Sequence, residues 1–505
     1  MTDVIERTTT ERTDADDDDL SRYRWVAMGV VLVGVFMVIL DTSIVNVALP
    51  QIGVEFHSIT DVEWIVTAYL LALGLAQPPT GWLTDRFGKR LVFCGCLVLF
   101  ATGSLLCAAA PNLGALVGFR VLQGFGGGGM APVGLAIIYE LFPSDRRGTA
   151  LGIWGIAAMA APAIGPVLGG WLVTAVSWRV LFLVNVPIGV VGLILATRLL
   201  RDVVPRRRRA LDWQGLLLAT IGLGALLLGL SEAPEWGWRS SATVSCLVVG
   251  GVLTGAWALR GWRIRNPLVD MKMFREPTFS LCMIVLLLLT MAQYGRLVFI
   301  PLELEDLRHF SALRVGVLLV PTALTAAATM PIGGRLADRI GPRLPTTMGV
   351  LCIGVSTFAL SRLTLGTSEW VIAGVLAIGG VGLGLSMMPT TVAALLSLPN
   401  RMAAEASSLR TLSRQVAGSL GVAVLSTVIA TRLTGIARPP TNPGDIATAQ
   451  SAYDLVFLIA AVSCVLALVA SIGLPGREAT RRLQALRAAE KPDEAASLAV
   501  ATDLE

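Results

Sequence analysis

Apolar runs separated by short charged or Gly/Pro-rich breaks follow one another from about residue 25 to residue 475. Each run approaches the roughly 20 residues that a helix needs to cross a hydrocarbon layer of about 30 Å. They lie near 25–48, 62–82, 91–110, 113–139, 148–173 and 179–199, then 213–230 and 241–260, then 278–302, 313–334, 345–363, 369–396, 405–431 and 453–474. The pattern predicts an all-α membrane protein of fourteen spans. Residues 1–24, with an acidic run from Asp14 to Asp19, read as a disordered tail, and 476–505 as a second tail. The acidic segment cannot serve as the apolar core of a cleavable signal peptide.

Charge placement sets the expected orientation. The turns after even-numbered spans hold Arg86, Lys89, Arg90, Arg146, Arg147, Arg206 to Arg209, Arg260, Arg263, Arg265, Lys272, Arg275, Arg339, Arg343 and Arg401. The opposite turns carry only scattered residues such as Arg179, Arg239, Arg308, Arg314, Arg362 and Arg438. By the positive-inside rule the basic turns and both termini face the cytoplasm of a cell with the chain in its inner (plasma) membrane.

The chain repeats itself. GWLTDRFGKR at Gly81 to Arg90 returns as GRLADRIGPR at Gly334 to Arg343, with Pro342 replacing a lysine. The copies join spans 2 and 3 and spans 10 and 11. The expected organisation is therefore a six-helix half over 25–200, two inserted helices with basic loops over 201–277, and a second half over 278–475. Two such halves enclosing a cleft are the architecture of a transporter, which a scaffold does not need.

Composition agrees: 54% of residues are apolar and 15% charged, against about 25% charged in soluble domains. The net charge of +5 reflects loop arginines beside a membrane, not a nucleic-acid surface. The seven cysteines lie in or beside apolar runs and make no metal-ligand spacing with His57 or His309. No nucleophile or paired-acid constellation stands in the spans, so an enzyme is not expected. Gly124 to Gly129 lack a following Walker lysine and lie inside a span, so no nucleotide site is read there.

Five ordered segments carry a family resemblance: LDTSIVNVALPQI from Leu40, GWLTDRFGKR from Gly81, RVLQGFGGG from Arg120, GIAAMAAPAIGPVLGGWL from Gly155, and WRVLFLVNVPIG from Trp178. Together they resemble the major facilitator superfamily, and within it the fourteen-helix drug/proton antiporters. The resemblance implies proton-coupled export of amphipathic drugs, dyes or endogenous metabolites, with no cofactor beyond a proton gradient. Small-molecule substrate, protons and lipid are the expected partners of a monomer. It also implies that Gly155, Gly165, Pro166, Gly169 and Gly170 form the antiporter motif associated with exporters. An uptake symporter is the alternative, and a non-transporting sensor or a membrane enzyme a remote one.

Asp41 lies about seven residues from the end of span 1, and Arg120 about seven into span 4 from the same side, so both stand roughly 10 Å deep. Charges at such depth are costly and point to function. An acid that is alternately paired and desolvated can bind and release a proton; a static ion pair is the competing reading. The resemblance assigns coupling to the arginine of RxxQG, completed here by Gln123 and Gly124. It assigns a cytoplasmic gate to Gly81, Asp85, Arg86, Gly88, Arg90, Asp338 and Arg339. Trp64, Tyr69, Gln77 and Gln123 offer aromatic and hydrogen-bonding groups for a mostly apolar substrate cavity, although Trp64 also suits an interfacial anchor. Arg296, alone among apolar residues, must have a partner: the acids Glu303, Glu305 and Asp306, or an anionic substrate. Glu405, Arg410, Arg414 and Gln415 suggest a further gate contact in span 13.

Overall fold

The computed structural model describes residues 2–58, 61–143, 146–201, 210–264, 266–399, 402–434, 436, 440, 442–483 and 485. Side chains of residues 2–21, Met159, Pro162, Ala163, Pro166, Val167, Ala312 and Leu313 are not among those described. Of the expected loop charges, Arg206 to Arg209, Arg265, Arg401 and Arg438 lie outside the described residues.

The first half comprises α1 (Thr2–Glu55), α2 (Trp64–Leu75), α3 (Thr80–Phe87), α4 (Lys89–Ala108), α5 (Leu113–Leu141), α6 (Arg147–Ala175), α7 (Arg179–Leu183) and α8 (Asn185–Leu199). Then come α9 (Trp213–Trp236) and α10 (Ser241–Arg263). The second half holds α11 (Pro277–Arg308), α12 (Ala312–Ile340), α13 (Arg343–Leu360), α14 (Glu369–Leu396), α15 (Ala403–Arg432) and α16 (Pro443–Ile472). Helices are what apolar runs must form in hydrocarbon, where each backbone N–H and C=O has to be satisfied within its own segment. Several start on side-chain caps: Asn112, Asp212, Ser240 and Ser311 each accept from the backbone N–H three residues on.

Among the described residues, twelve helices are long and apolar enough to cross a membrane. The two expected spans not among them are 62–82 and 148–173. The first is interrupted at Pro78 and Pro79, which cannot donate to the helical ladder, so it forms the 12-residue α2 and 8-residue α3. The second is the 29-residue α6. The acidic segment expected to be a disordered tail is instead continuous with α1, whose apolar part begins at Arg22. Extending an existing helix needs no new nucleus.

The repeat seen in sequence recurs in the packing. In the first half α4 packs on α5, α2 on α5, α1 on α6, α1 on α8 and α4 on α8; in the second, α13 packs on α14, α12 on α14, α11 on α15, α11 on α16 and α13 on α16. Outward faces are apolar and exposed, for example Val244, Val248 and Val252 of α10 and Val462, Leu466 and Val469 of α16. Such surface suits lipid rather than water.

The halves meet along two seams. At one, α6 packs on α12; at the other, α15 packs on α3 and α5 while α9 touches both α2 and α15. Leu227 of α9 fills the space beside Gly74 of α2. The inserted pair thus has a structural position: α9 wedges the second seam and α10 covers α9 from outside.

Candidate translocation site

Asp41 of α1 and Arg120 of α5 meet in the core of the first half, each 1% exposed. Arg120 Nη1 donates to Asp41 Oδ2 at 2.5 Å and to Gln123 Oε1 at 2.8 Å, while Nε donates to the Ile65 carbonyl at 3.1 Å. The other carboxylate oxygen accepts from Gln123 Nε2 at 2.9 Å and from Asn185 Nδ2 at 2.8 Å. Both amides also donate to Ser104 Oγ at 3.1 Å, and the guanidinium lies 3.9 Å from the Tyr69 ring centroid. A buried ion pair is tolerable only when its remaining donors and acceptors are satisfied in this way.

Glycines make this approach possible. A Cβ on Gly103 would come within 2.7 Å of the Gln123 backbone, and one on Gly124 within 2.6 Å of the Tyr69 carbonyl oxygen. Gly128 likewise faces α2 at Leu73, and Gly126 faces α4 at Phe100. The run Gly124 to Gly129 therefore packs α5 between α2 and α4.

The repeated motif sits where the halves touch, on the face bearing the basic turns. Gly88 and Gly341 adopt the same conformation, φ 84°, ψ 151° and φ 85°, ψ 161°, in a region open only to glycine. Gly81 of the first copy lies against Glu405 of α15; Gly334 of the second lies against the Gly148 carbonyl of α6. Each copy thus brings its helix end onto the other half. Along α6, Gly148, Gly152 and Gly155 meet Gly334, Pro331 and Met330 of α12. Asp338 then accepts from Gly148 N at 2.9 Å and Thr149 N at 3.1 Å. At the second seam Ser407 donates to the Pro132 carbonyl and Ser408 to that of Gln77. The two halves are thus in contact on the basic face.

Residues 31–422 match the model of the Major Facilitator Superfamily. The chain belongs to this superfamily. It is 34% identical over 488 residues to the multidrug resistance protein B homolog of Mycobacterium tuberculosis (strain ATCC 25618 / H37Rv), covering 90% of each chain. It is 33% identical over 411 residues to the tetracenomycin C resistance and export protein of Streptomyces glaucescens, covering 81% of this chain and 76% of that one. Among solved structures, the proton:xylose symporter XylE superposes with a TM-score of 0.61 at 14% identity, over 92% of this chain and 99% of the other. These are transporters, not enzymes.

Within this transporter the expected cavity residues divide. Tyr69 and Gln123 belong to the Asp41–Arg120 cluster. Gln77 stands at the α2–α3 break, buried, with both amide atoms unbonded. Trp64 is half-buried at the start of α2, away from that break. Arg296 turns into the second half, where Nη2 donates to Ser356 Oγ at 3.2 Å and the guanidinium fills the space beside Gly379. Of the gate residues, Asp85 and Asp338 are half-buried, Arg86 and Arg339 exposed, and Arg90 donates to the Thr197 carbonyl. In the glycine motif Gly155 faces α12, Gly165 and Gly169 face Ser43 and Ile44 of α1, and Gly170 faces open space; the side chain of Pro166 lies outside those described. Sequence reasoning missed Ser104 and Asn185, although an asparagine within an apolar run was a visible signal, and also Lys89 with Glu140.

Proposed function

We propose that this transporter is a proton-coupled antiporter that exports amphipathic small molecules from the cytoplasm by alternating access. The supporting observation is the buried Asp41–Arg120 pair, hydrogen-bonded to Gln123, Asn185 and the Ile65 carbonyl inside a fold whose relatives are named for resistance and export. The basic face is taken as cytoplasmic, with both termini on that side of the plasma membrane, so the conformation described is closed toward the cytoplasm. Proton binding at Asp41 neutralises the carboxylate and leaves Arg120 with its hydrogen bonds to Ile65 and Gln123 alone. That change alters how α1 and α5 hold together, and α1 carries α6, the helix whose N-terminal end closes the first seam. The proton gradient is the energy source, no cofactor is needed, and the monomer suffices.

The test is proton release on substrate addition to proteoliposomes, comparing wild type with Asp41→Asn over cationic, neutral and anionic amphiphiles. Release by wild type alone supports antiport through Asp41; equal release by both proteins sinks this assignment.

A further inference from the structure

Two arginines of α15 stand in the interior without a counter-charge. Arg410 is 5% exposed, and Arg414, one turn further on, is half-buried. Among the described residues no hydrogen bond or ion pair holds either guanidinium, and both Nε atoms are buried and unbonded. The gate contact expected with Glu405 does not form, since Glu405 accepts instead from the Asp270 backbone N–H. The interior acids Glu140 and Asp41 are paired with Lys89 and Arg120.

Their direction follows from the helix's neighbours. At 3.6 residues per turn, Arg410, Gly421, Arg414 and Ser407 share an arc of about 60°. Ser407 Oγ donates to the Pro132 carbonyl of α5 at 2.8 Å. A Cβ on Gly421 would lie 3.0 Å from Met291 Cα of α11, and one on Gly418, just beside the arc, 3.1 Å from the Tyr294 ring. The two guanidinium groups therefore lie on the face of α15 that is turned toward α5 of the other half and α11 of its own. Gln77, with its unbonded amide, joins the same seam through Ser408. Arg296 is no part of this arrangement, because it faces the inside of the second half.

Like charges one turn apart repel, and a buried cation without a partner is costly. A bound anion removes both penalties. Guanidinium groups match a carboxylate bidentately, while Met291 and Tyr294 offer surface for an apolar body. We propose that Arg410 and Arg414 are the anion-recognition element of the translocation pathway, and that the exported molecules include amphipathic carboxylates. This deepens the export reading and rests on it for the direction of transport.

The test is binding of 1-pyrenebutyrate, 1-pyrenebutanol and 1-pyrenebutylamine, followed by tryptophan-to-pyrene energy transfer, to the full-length protein in phosphatidylcholine nanodiscs. Wild type is expected to hold the butyrate at least about tenfold more tightly than the alcohol, and Arg410→Gln or Arg414→Gln to weaken butyrate alone by about tenfold. Arg414→Lys should recover part of the loss. Equal affinity for butyrate and alcohol, preference for the amine, no butyrate binding, or equal loss of all three probes in both glutamine variants overturns the proposal. So does loss of butyrate binding on adding phosphatidylglycerol, which would identify a lipid headgroup as the occupant. If Arg410→Gln fails to fold, Arg414→Gln and the wild-type ranking decide. Proton release on adding the alcohol, without butyrate preference, would leave the export reading standing and remove this site; butyrate preference without proton release would do the reverse.

Discussion

Asp338 of α12 caps the helix that begins at Gly148's neighbour in the other half: its two oxygens accept from Gly148 N and Thr149 N at 2.9 and 3.1 Å. The helix's own N-cap, Arg146, offers no acceptor, so α6 has its cap only while the halves are closed. An N-cap is worth about 1 kcal/mol and a carboxylate at the helix dipole about 0.3–1 more. Asp338→Ala should therefore shift the closed population by a factor of about 10–30. Maleimide labelling of Met330→Cys, placed at this seam in a background lacking the seven native cysteines, should accelerate. An unchanged labelling rate would show that the cap does not hold the gate.

The two motif glycines should differ in tolerance. At Gly334 an added methyl meets backbone, the Gly148 carbonyl, whereas at Gly81 it meets first the Glu405 side chain at 2.6 Å. A side chain can rotate and a packed backbone cannot. Gly334→Ala should abolish closure of the α6–α12 seam and with it transport, while Gly81→Ala should retain a measurable fraction. Transport assays at matched expression read this directly, and a reversed order would count against the packing argument.

Gly88 and Gly341 make a matched pair for backbone strain. Both occupy the positive-φ, extended-ψ region, where a non-glycine residue costs about 1–3 kcal/mol. Gly341 is also crowded, with the Gly476 and Arg477 backbone at 2.9–3.0 Å from an added Cβ. Alanine at either position should lower the thermal midpoint. An unchanged midpoint in both variants would mean that the positive φ carries no strain.

Legibility in the sequence followed the length scale of each interaction. Asp41 and Arg120 stood out because a charge inside an apolar run is conspicuous, and Gly81 and Gly334 because the motif repeats. Their packing partners did not. The Asp338 contact spans 190 residues, and Gly148 and Gly152 look like any other glycines of a membrane helix until α12 lies against them. Pro78 and Pro79 do announce a break, yet the apolar run passes through them, so hydropathy alone drew one helix where the backbone makes two. Glu405 and Arg410 seemed suited to each other by spacing, but the α15 face on which each lies is fixed by α3, α5 and α11.

The Asp41–Arg120 pair should respond asymmetrically to the loss of either partner. Breaking a buried pair typically costs about 3–5 kcal/mol because one charge is left behind. In Arg120→Gln the remaining acid can take up a proton and keep its hydrogen bonds from Gln123 and Asn185. In Asp41→Ala the remaining guanidinium cannot discharge and keeps Ile65, Gln123 and the Tyr69 and Phe182 rings. Asp41→Ala should therefore be the more destabilised, and the double variant should lie closer to wild type than the sum of the singles. Thermal unfolding of the four proteins gives the coupling energy from the cycle. Additive effects would mean that the pair contributes no interaction of its own, and its only remaining role would be to carry the proton.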